Sequence, residues 1–146
     1  MSKIKSFRGK VAHGDQDTIV LHTNDGSVGY RIKKFELIGE KPATTSQESV
    51  VKIYSIKQST IDEAIEFDEN ILLAAGFYEN NSASSSYGGV IVVFDNMTFN
   101  QDIFVTHFEG GGTQPINYYI ELEQMKLDLS ESTVATLKDI RNIKSQ

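Results

Sequence analysis

Residues 115–129 alternate apolar and polar side chains with a period of two, which constrains the fold more than any other stretch. The apolar positions are Ile116, Tyr118, Ile120 and Leu122, and the positions between them are Asn117, Tyr119, Glu121 and Glu123. This pattern is typical of a β-strand with one face in water. The apolar side then moves by one position, to Met125, Leu127 and Leu129, which predicts a β-bulge. We therefore predict a bent strand at the centre of a β-sandwich.

Further short apolar stretches bounded by turn residues predict a chain of about eight to nine strands, spaced about ten residues apart. We predict an all-β fold: a two-sheet β-sandwich of the jelly-roll or Greek-key type, in one domain that covers residues 1–146. The basic stretch 4–12 is predicted to be an edge strand, and 50–56 a central one. Other predicted strands are 17–23, 28–38, 71–78, 90–94 and 103–108.

Residues 17–38 predict a β-hairpin. Asn24-Asp25-Gly26 lies between two alternating stretches, and an Asp-Gly pair supplies the positive φ values of a tight turn. The second strand changes its apolar side after Lys33-Lys34, which predicts another bulge. Residues 39–48 and 80–89 are predicted loops, whereas 58–70 fit both helical and strand spacing.

The end of the chain changes period and predicts one short C-terminal helix, from about Glu131 to Asn142. Ser130 is placed to cap its N-terminus, and Leu129 and Val134 are spaced as a hydrophobic staple. Basic residues fall in its last turns, where they complement the helix dipole. We expect this helix, about 131–142, to pack on the sandwich or on a neighbouring subunit.

The charge is distributed unevenly along the chain. Residues 1–41 hold eight Lys/Arg against five Asp/Glu, and residues 42–146 hold six against fifteen. No Lys or Arg occurs between Lys57 and Lys126. Because nucleic-acid binding needs Lys and Arg to replace counterions, we expect no nucleic-acid partner. The acidic part is a solvated surface, or else it meets the basic N-terminal strand of a neighbour in a homo-oligomer, with Ile4, Phe7 and Val11 supplying apolar contact.

Several groups are candidates for metal binding. The three histidines, His13, His22 and His107, lack metal-ligand spacing, and the last two alternate with apolar neighbours as packed or surface sheet residues do. The acidic segment 62–69 could bind calcium but lacks the calcium-loop pattern, so a solvated loop is the preferred interpretation. Its carboxylates are Asp62, Glu63, Glu66, Asp68 and Glu69, and the turn residues Asp15 and Asp17 could join them.

Catalytic patterns are equally weak. Glu121 and Glu123 share a face with Tyr119 and could line a sugar groove, although solvent-facing alternation explains them as well. The triple glycine 110–112 is not a phosphate loop, because no Lys-Ser/Thr follows it. The basic residues around Phe7 suit a strand edge better than a nucleic-acid site: Lys3, Lys5, Arg8 and Lys10. We therefore predict a non-enzyme with no catalytic, cofactor-binding or metal-binding residues and no cofactor.

The absence of cysteine excludes a disulfide framework, a thiolate metal site and a cysteine nucleophile. The longest apolar run, Ile71–Tyr78, is too short for a membrane span, and no stretch resembles a signal peptide. We therefore expect no secretion signal and no membrane partner.

Four stretches resemble small uncharacterised proteins encoded by marine tailed bacteriophages: residues 4–12, 16–32, 99–103 and 133–142. The resemblance implies no activity and no functional residue. It implies a virion-associated structural role, in the virion or the host cytoplasm, as a subunit that self-assembles and contacts other virion proteins. The alternative is a β-sandwich module that binds a carbohydrate or cell-surface component through its loops.

Overall fold

The computed structural model describes residues 3–21, 27–80 and 88–127, which form eight β-strands in two antiparallel sheets and no helix. The strands are β1 (Lys3–Val11), β2 (Gln16–Ile19), β3 (Val28–Gly39), β4 (Gln47–Tyr54), β5 (Leu72–Asn80), β6 (Gly89–Phe94), β7 (Ile103–Glu109) and β8 (Ile116–Lys126). The prediction of an all-β fold with two sheets is confirmed. The predicted helix at about 131–142 lies outside the described residues.

The smaller sheet has the order β1-β8-β3, so β8 is central and β1 lies at an edge, as predicted. Alternate residues of β8 from Ile116 to Leu122 are buried in the core. The predicted bulge in β3 is confirmed, because the pairing with β8 shifts between Ile32 and Lys34. The bulge predicted in β8 is wrong, since residues 122–126 of β8 pair with residues 28–32 of β3 without a shift. Leu127 is buried for another reason: it follows β8 and packs on Gly29, which has no side chain.

The larger sheet has the order β2-β7-β4-β5-β6. β4 is its central strand, as predicted, and β7 returns to pair with the side of β4 that β5 leaves open. The predicted hairpin over 17–38 is wrong, because β2 pairs with β7 and β3 pairs with β8 in the other sheet. β3 gains far more by pairing along the 11 residues of β8 than it could with the 4 residues of β2.

The core lies between the two sheets. The largest completely or almost completely buried apolar side chains come from both sheets and include Phe35, Ile53, Val105, Ile120 and Leu122. Each such side chain stabilises the fold by about 1.5–3 kcal/mol. The connection from β6 to β7 closes part of this core with Phe99, whose backbone exchanges two hydrogen bonds of 2.8 and 2.9 Å with Tyr30.

The connection from β4 to β5, residues 55–71, crosses the outer face of the larger sheet, and we name it the cover loop. It contains neither helix nor strand. Because Val51 and Ile53 point into the core, Lys52 between them points outward and lies under this loop. Its Nζ donates to the Ala64 carbonyl at 2.6 Å and to Asp62 Oδ1 at 3.1 Å. These bonds anchor the cover loop and satisfy a charge that is 5% exposed.

Candidate functional site

Strand β6 forms an edge of the larger sheet and pairs with β5 on one side. Among the described residues, no strand pairs with its other side. Its five apolar residues run without a charge from Val90 to Phe94, and Ile91 is 68% exposed. An unpaired apolar strand edge is a template for pairing with another chain, unless something covers it. We name Val90–Phe94 the β6 edge.

Further apolar side chains border the β6 edge on both faces of its sheet. A groove of about 530 Å³ separates it from β3 and is lined in part by Ile38. A second groove of about 310 Å³ lies between Val93 and Phe67 of the cover loop. Phe67 is 71% exposed. The β6 edge is therefore part of a wider apolar surface, which is typical of an interaction site.

Strand β1, at an edge of the smaller sheet, is different because its exposed side chains are mainly basic. Lys10 pairs with Glu40 of the same chain at 2.7 Å. Ile4 is exposed, but Val11 is buried and Phe7 packs against the core. The expectation that Val11 contacts a neighbouring subunit is wrong, because Val11 is buried in the core, whereas the contact predicted for Ile4 and for the partly buried Phe7 stays a prediction. Charges on an edge strand oppose pairing with a like strand.

The outer face of the smaller sheet carries an open groove of about 580 Å³, which we name the Tyr119 groove. Tyr119 pairs in register with Arg8 on one side and Glu36 on the other. Asn117, Lys10 and Ile38 complete the outward-facing part of its lining.

The predicted sugar-binding residues Tyr119, Glu121 and Glu123 are partly brought together. The Tyr119 hydroxyl donates to Glu121 Oε2 at 2.7 Å, and this hydrogen bond raises the pKa of Tyr119. Glu123 instead accepts from Arg31 Nε at 2.7 Å. Two different partners thus hold the two carboxylates, and neither is placed as a free acid beside the other. The groove has the lining of a binding surface, with the outward-facing Tyr119 ring and several polar groups.

A serine–histidine pair lies in the core. His107 Nδ1 is 3.0 Å from the Val11 carbonyl, and Nε2 is 2.8 Å from Ser49 Oγ. Because a carbonyl only accepts, Nδ1 carries the proton and Nε2 accepts from the serine hydroxyl. Gln47 Nε2 donates to the same Oγ at 2.8 Å.

Both Ser49 and His107 are completely buried, so a substrate cannot reach them. Burial lowers the pKa of His107, which favours the neutral ring. Of the two alternatives predicted for His107, a packed or a surface sheet residue, the structure shows the packed one. The pair acts as a structural link between β1, β4 and β7.

The triple glycine 110–112 lies beside the buried side chain of Glu109, which binds the surrounding backbone. Its Oε1 accepts from the backbone N–H of Glu48 at 2.9 Å and of Gly111 at 2.8 Å. Its own N–H donates to His13 Nδ1 at 2.9 Å. Residues 110–112 therefore turn around a buried carboxylate, and a side chain on Gly112 would lie 3.1 Å from Oε2. His13 has a structural contact here, whereas His22 lies outside the described residues.

In the acidic segment 62–69, the first carboxylate, Asp62, already accepts hydrogen bonds from groups of the same chain. Asp62 accepts from Lys52 and from the backbone N–H of Ala64. Asp17, which could have joined the segment, accepts from the Tyr118 hydroxyl at 2.9 Å. In the described parts of the chain, no group of three or more His, Asp or Glu side chains is placed to hold a metal ion.

No model of a protein family matches the sequence, and no curated protein matches it. Within residues 3–21, 27–80 and 88–127, no helix is long and apolar enough to cross a membrane.

Proposed function

We propose that the protein is a non-enzymatic structural subunit of a phage virion that self-assembles through surfaces of its β-sandwich. The virion role rests on the resemblance of four sequence stretches to proteins of marine tailed phages. The self-assembly rests on one observation: the β6 edge carries no charge and pairs on its outer side with no strand of the described residues. Its partners are further copies of the chain and other virion proteins, in the virion or the host cytoplasm.

The size of the exposed surface supports this proposal. Fully burying an exposed Val, Ile or Phe contributes about 1.5–3 kcal/mol. Association costs about 4–15 kcal/mol in lost motional freedom, so several such side chains must be buried together. The β6 edge and its neighbours offer that set: Ile38, Phe67, Val90, Ile91, Val93 and Phe94 are all exposed.

The proposed sandwich is of the Greek-key type. In the larger sheet, β4, β5 and β6 are consecutive neighbours, and β7 lies beside β4. The order β7-β4-β5-β6 supports this assignment, because a Greek key places its fourth strand beside its first.

Sedimentation velocity over a concentration series tests self-assembly. We expect a defined species whose mass is a multiple of 16.3 kDa. The double variant Ile91→Lys/Val93→Lys is expected to be monomeric. Val20→Lys is the matched control, because Val20 is 67% exposed but lies next to β2, at the opposite edge of the larger sheet.

A wild-type chain that is monomeric at every concentration would contradict the proposed self-assembly. Mass spectrometry of purified virions tests the virion role separately, and the absence of the chain from particles of its phage would contradict that role.

A carbohydrate- or cell-surface-binding module is the second candidate function, and the Tyr119 groove favours it. Sugars bind to aromatic faces flanked by polar groups, and the groove places Tyr119 between Arg8 and Glu36. Calorimetric titration with a glycan panel tests this candidate. Tyr119→Ala is expected to lose the ligand, whereas Tyr119→Phe keeps the ring and retains binding. A panel in which no glycan binds would exclude it.

A further inference from the structure

We propose that β6 pairs with β6 of a second copy in antiparallel orientation, around a two-fold axis perpendicular to the sheet. The two five-stranded sheets then form one continuous sheet across the dimer. This inference rests on the proposed self-assembly and specifies its geometry. The partner is a second copy of this chain.

The charge on each unpaired strand edge favours β6 for this role. Around a two-fold axis, a strand meets its own sequence in reverse, and like charges placed opposite each other are destabilising. β6 has no charged residue from Gly89 to Phe94. β1 would bring its Lys and Arg side chains together, β3 carries Lys33 and Lys34, and β2 carries Asp17. Of the edges of the two described sheets, β6 therefore pairs with itself without repulsion.

The sequence of β6 also selects a register centred on Val92. In this register Val92 lies opposite Val92 of the partner subunit, and Ile91 lies opposite Val93 of the partner subunit. Val90 then lies opposite Phe94 of the partner subunit, which is a favourable aromatic and β-branched pair. All five apolar residues of β6 are paired, and Asp95 meets a glycine.

The neighbouring registers are less favourable. A centre at Ile91 places Val93 and Phe94 opposite Gly89 and Gly88 of the partner subunit. A centre at Val93 places the carboxylate of Asp95 opposite Ile91 of the partner subunit. Each loses apolar contact that the register centred on Val92 retains.

Phe67 adds an apolar side chain beside the paired β6 strands, on the outer face of the larger sheet. It shares a groove of about 310 Å³ with Val93 and Phe94. It therefore lies next to the line along which the larger sheets of the two subunits would meet. Pairing of the β6 strands would cover that groove from the side of the partner subunit.

Disulfide trapping tests the register directly, because the chain contains no cysteine. Directly opposite residues of antiparallel strands have Cα atoms about 4.5–5.5 Å apart, within the range that a disulfide bridges. Val92→Cys is nearly isosteric and is expected to form a covalent homodimer under mild oxidation. Ile91→Cys and Val93→Cys are expected to crosslink when the two variants are mixed, and only slightly when each is alone.

Val20→Cys is the control for random collision, because Val20 lies at the opposite edge of the sheet and is more exposed than the partly buried Val92. Pairing holds two thiols at an effective concentration far above that of free chains, so Val92→Cys should crosslink about a hundredfold faster than the control. A rate equal to the control, or a homodimer that forms fastest at Ile91→Cys or Val93→Cys, overturns the proposal.

Sedimentation of the wild-type chain separates this failure from failure of the proposed function. An oligomer whose Val92→Cys variant crosslinks no faster than the control would retain self-assembly and overturn pairing through β6. A wild-type monomer would overturn both.

Discussion

His107 Nε2 lies 2.8 Å from the hydroxyl oxygen of Ser49, and both side chains are completely buried between the two sheets. Nδ1 of the same ring donates to Val11 of β1, so one imidazole joins the smaller sheet to the larger one. Protonation would make Nε2 a donor, and the serine hydroxyl would have to turn away from it. The link therefore holds in the neutral form of the ring.

We predict that the free energy of unfolding decreases as the pH is lowered, and that His107 contributes to this decrease. Burial lowers its pKa in the folded state, whereas the unfolded chain has an ordinary pKa of about 6.5. The unfolded state then binds more protons below about pH 6.5, so stability is lost as the pH falls from there through the folded pKa. The contribution of one group to this slope is at most about 1.4 kcal/mol per pH unit.

Urea unfolding of the wild type and of His107→Gln, at several values from pH 7.5 to pH 5, measures this effect. The variant is less stable at pH 7.5 but lacks the His107 contribution to the slope. Equal slopes in the two proteins would show that His107 does not cause it.

Lys52→Met is predicted to loosen the cover loop. The variant keeps most of the aliphatic packing but removes the donors to the Ala64 carbonyl and to Asp62. We expect a loss of about 1–3 kcal/mol in the free energy of unfolding, together with faster amide exchange in residues 55–71. Lys57→Met is the matched control, because Lys57 is exposed in the same loop. A similar change in both variants would contradict the anchoring role.

Gly76→Ala is predicted to destabilise the fold by about 1–3 kcal/mol. A Cβ at this position would lie 2.7 Å from Leu37 Cδ1 and 3.3 Å from the Phe35 ring, where the two sheets meet. Gly89→Ala, on the neighbouring strand, meets no atom within 4 Å and should change stability by less than about 0.5 kcal/mol. Thermal unfolding of the two variants checks the difference. Equal melting temperatures would mean that Leu37 moves aside at little cost.

Local alternation was sufficient to predict much of the fold. The central position of β8 follows from its one buried face, and the edge position of β1 follows from its basic residues. The shift after Lys33-Lys34 identified the bulge in β3, because the apolar side changes there. The wrong prediction of a hairpin over 17–38 rested on an equally local signal, the Asp-Gly pair. Which strand pairs with β2 is decided by contacts distant in the chain, such as Ile19 with Ile103, and local patterns do not contain them.

The candidate sites depended on the same distant contacts. Ser49 and His107 are separated by 58 residues and meet through the pairing of β4 with β7. Val90–Phe94 was recognisable as a strand from its β-branched residues. Its position at an edge follows from the strand order, which the sequence pattern does not show.

The last prediction separates the core from the interface by comparing Phe7→Ser with Ile91→Ser. Phe7 packs against the core, so its replacement should lower the free energy of unfolding by about 1–3 kcal/mol. Ile91 is 68% exposed in the subunit, so its replacement should leave the stability of the monomer within about 0.5 kcal/mol and weaken association instead.

Unfolding is measured at a dilution where the wild type has dissociated, because self-association raises apparent stability by mass action. Sedimentation velocity at high concentration then reports association on its own. If Phe7→Ser abolished association while its stability stayed unchanged, β1 rather than β6 would be the interface. The reverse pattern, a stable monomeric Ile91→Ser and a weakened Phe7→Ser that still associates, is the outcome that we expect from an interface built on β6.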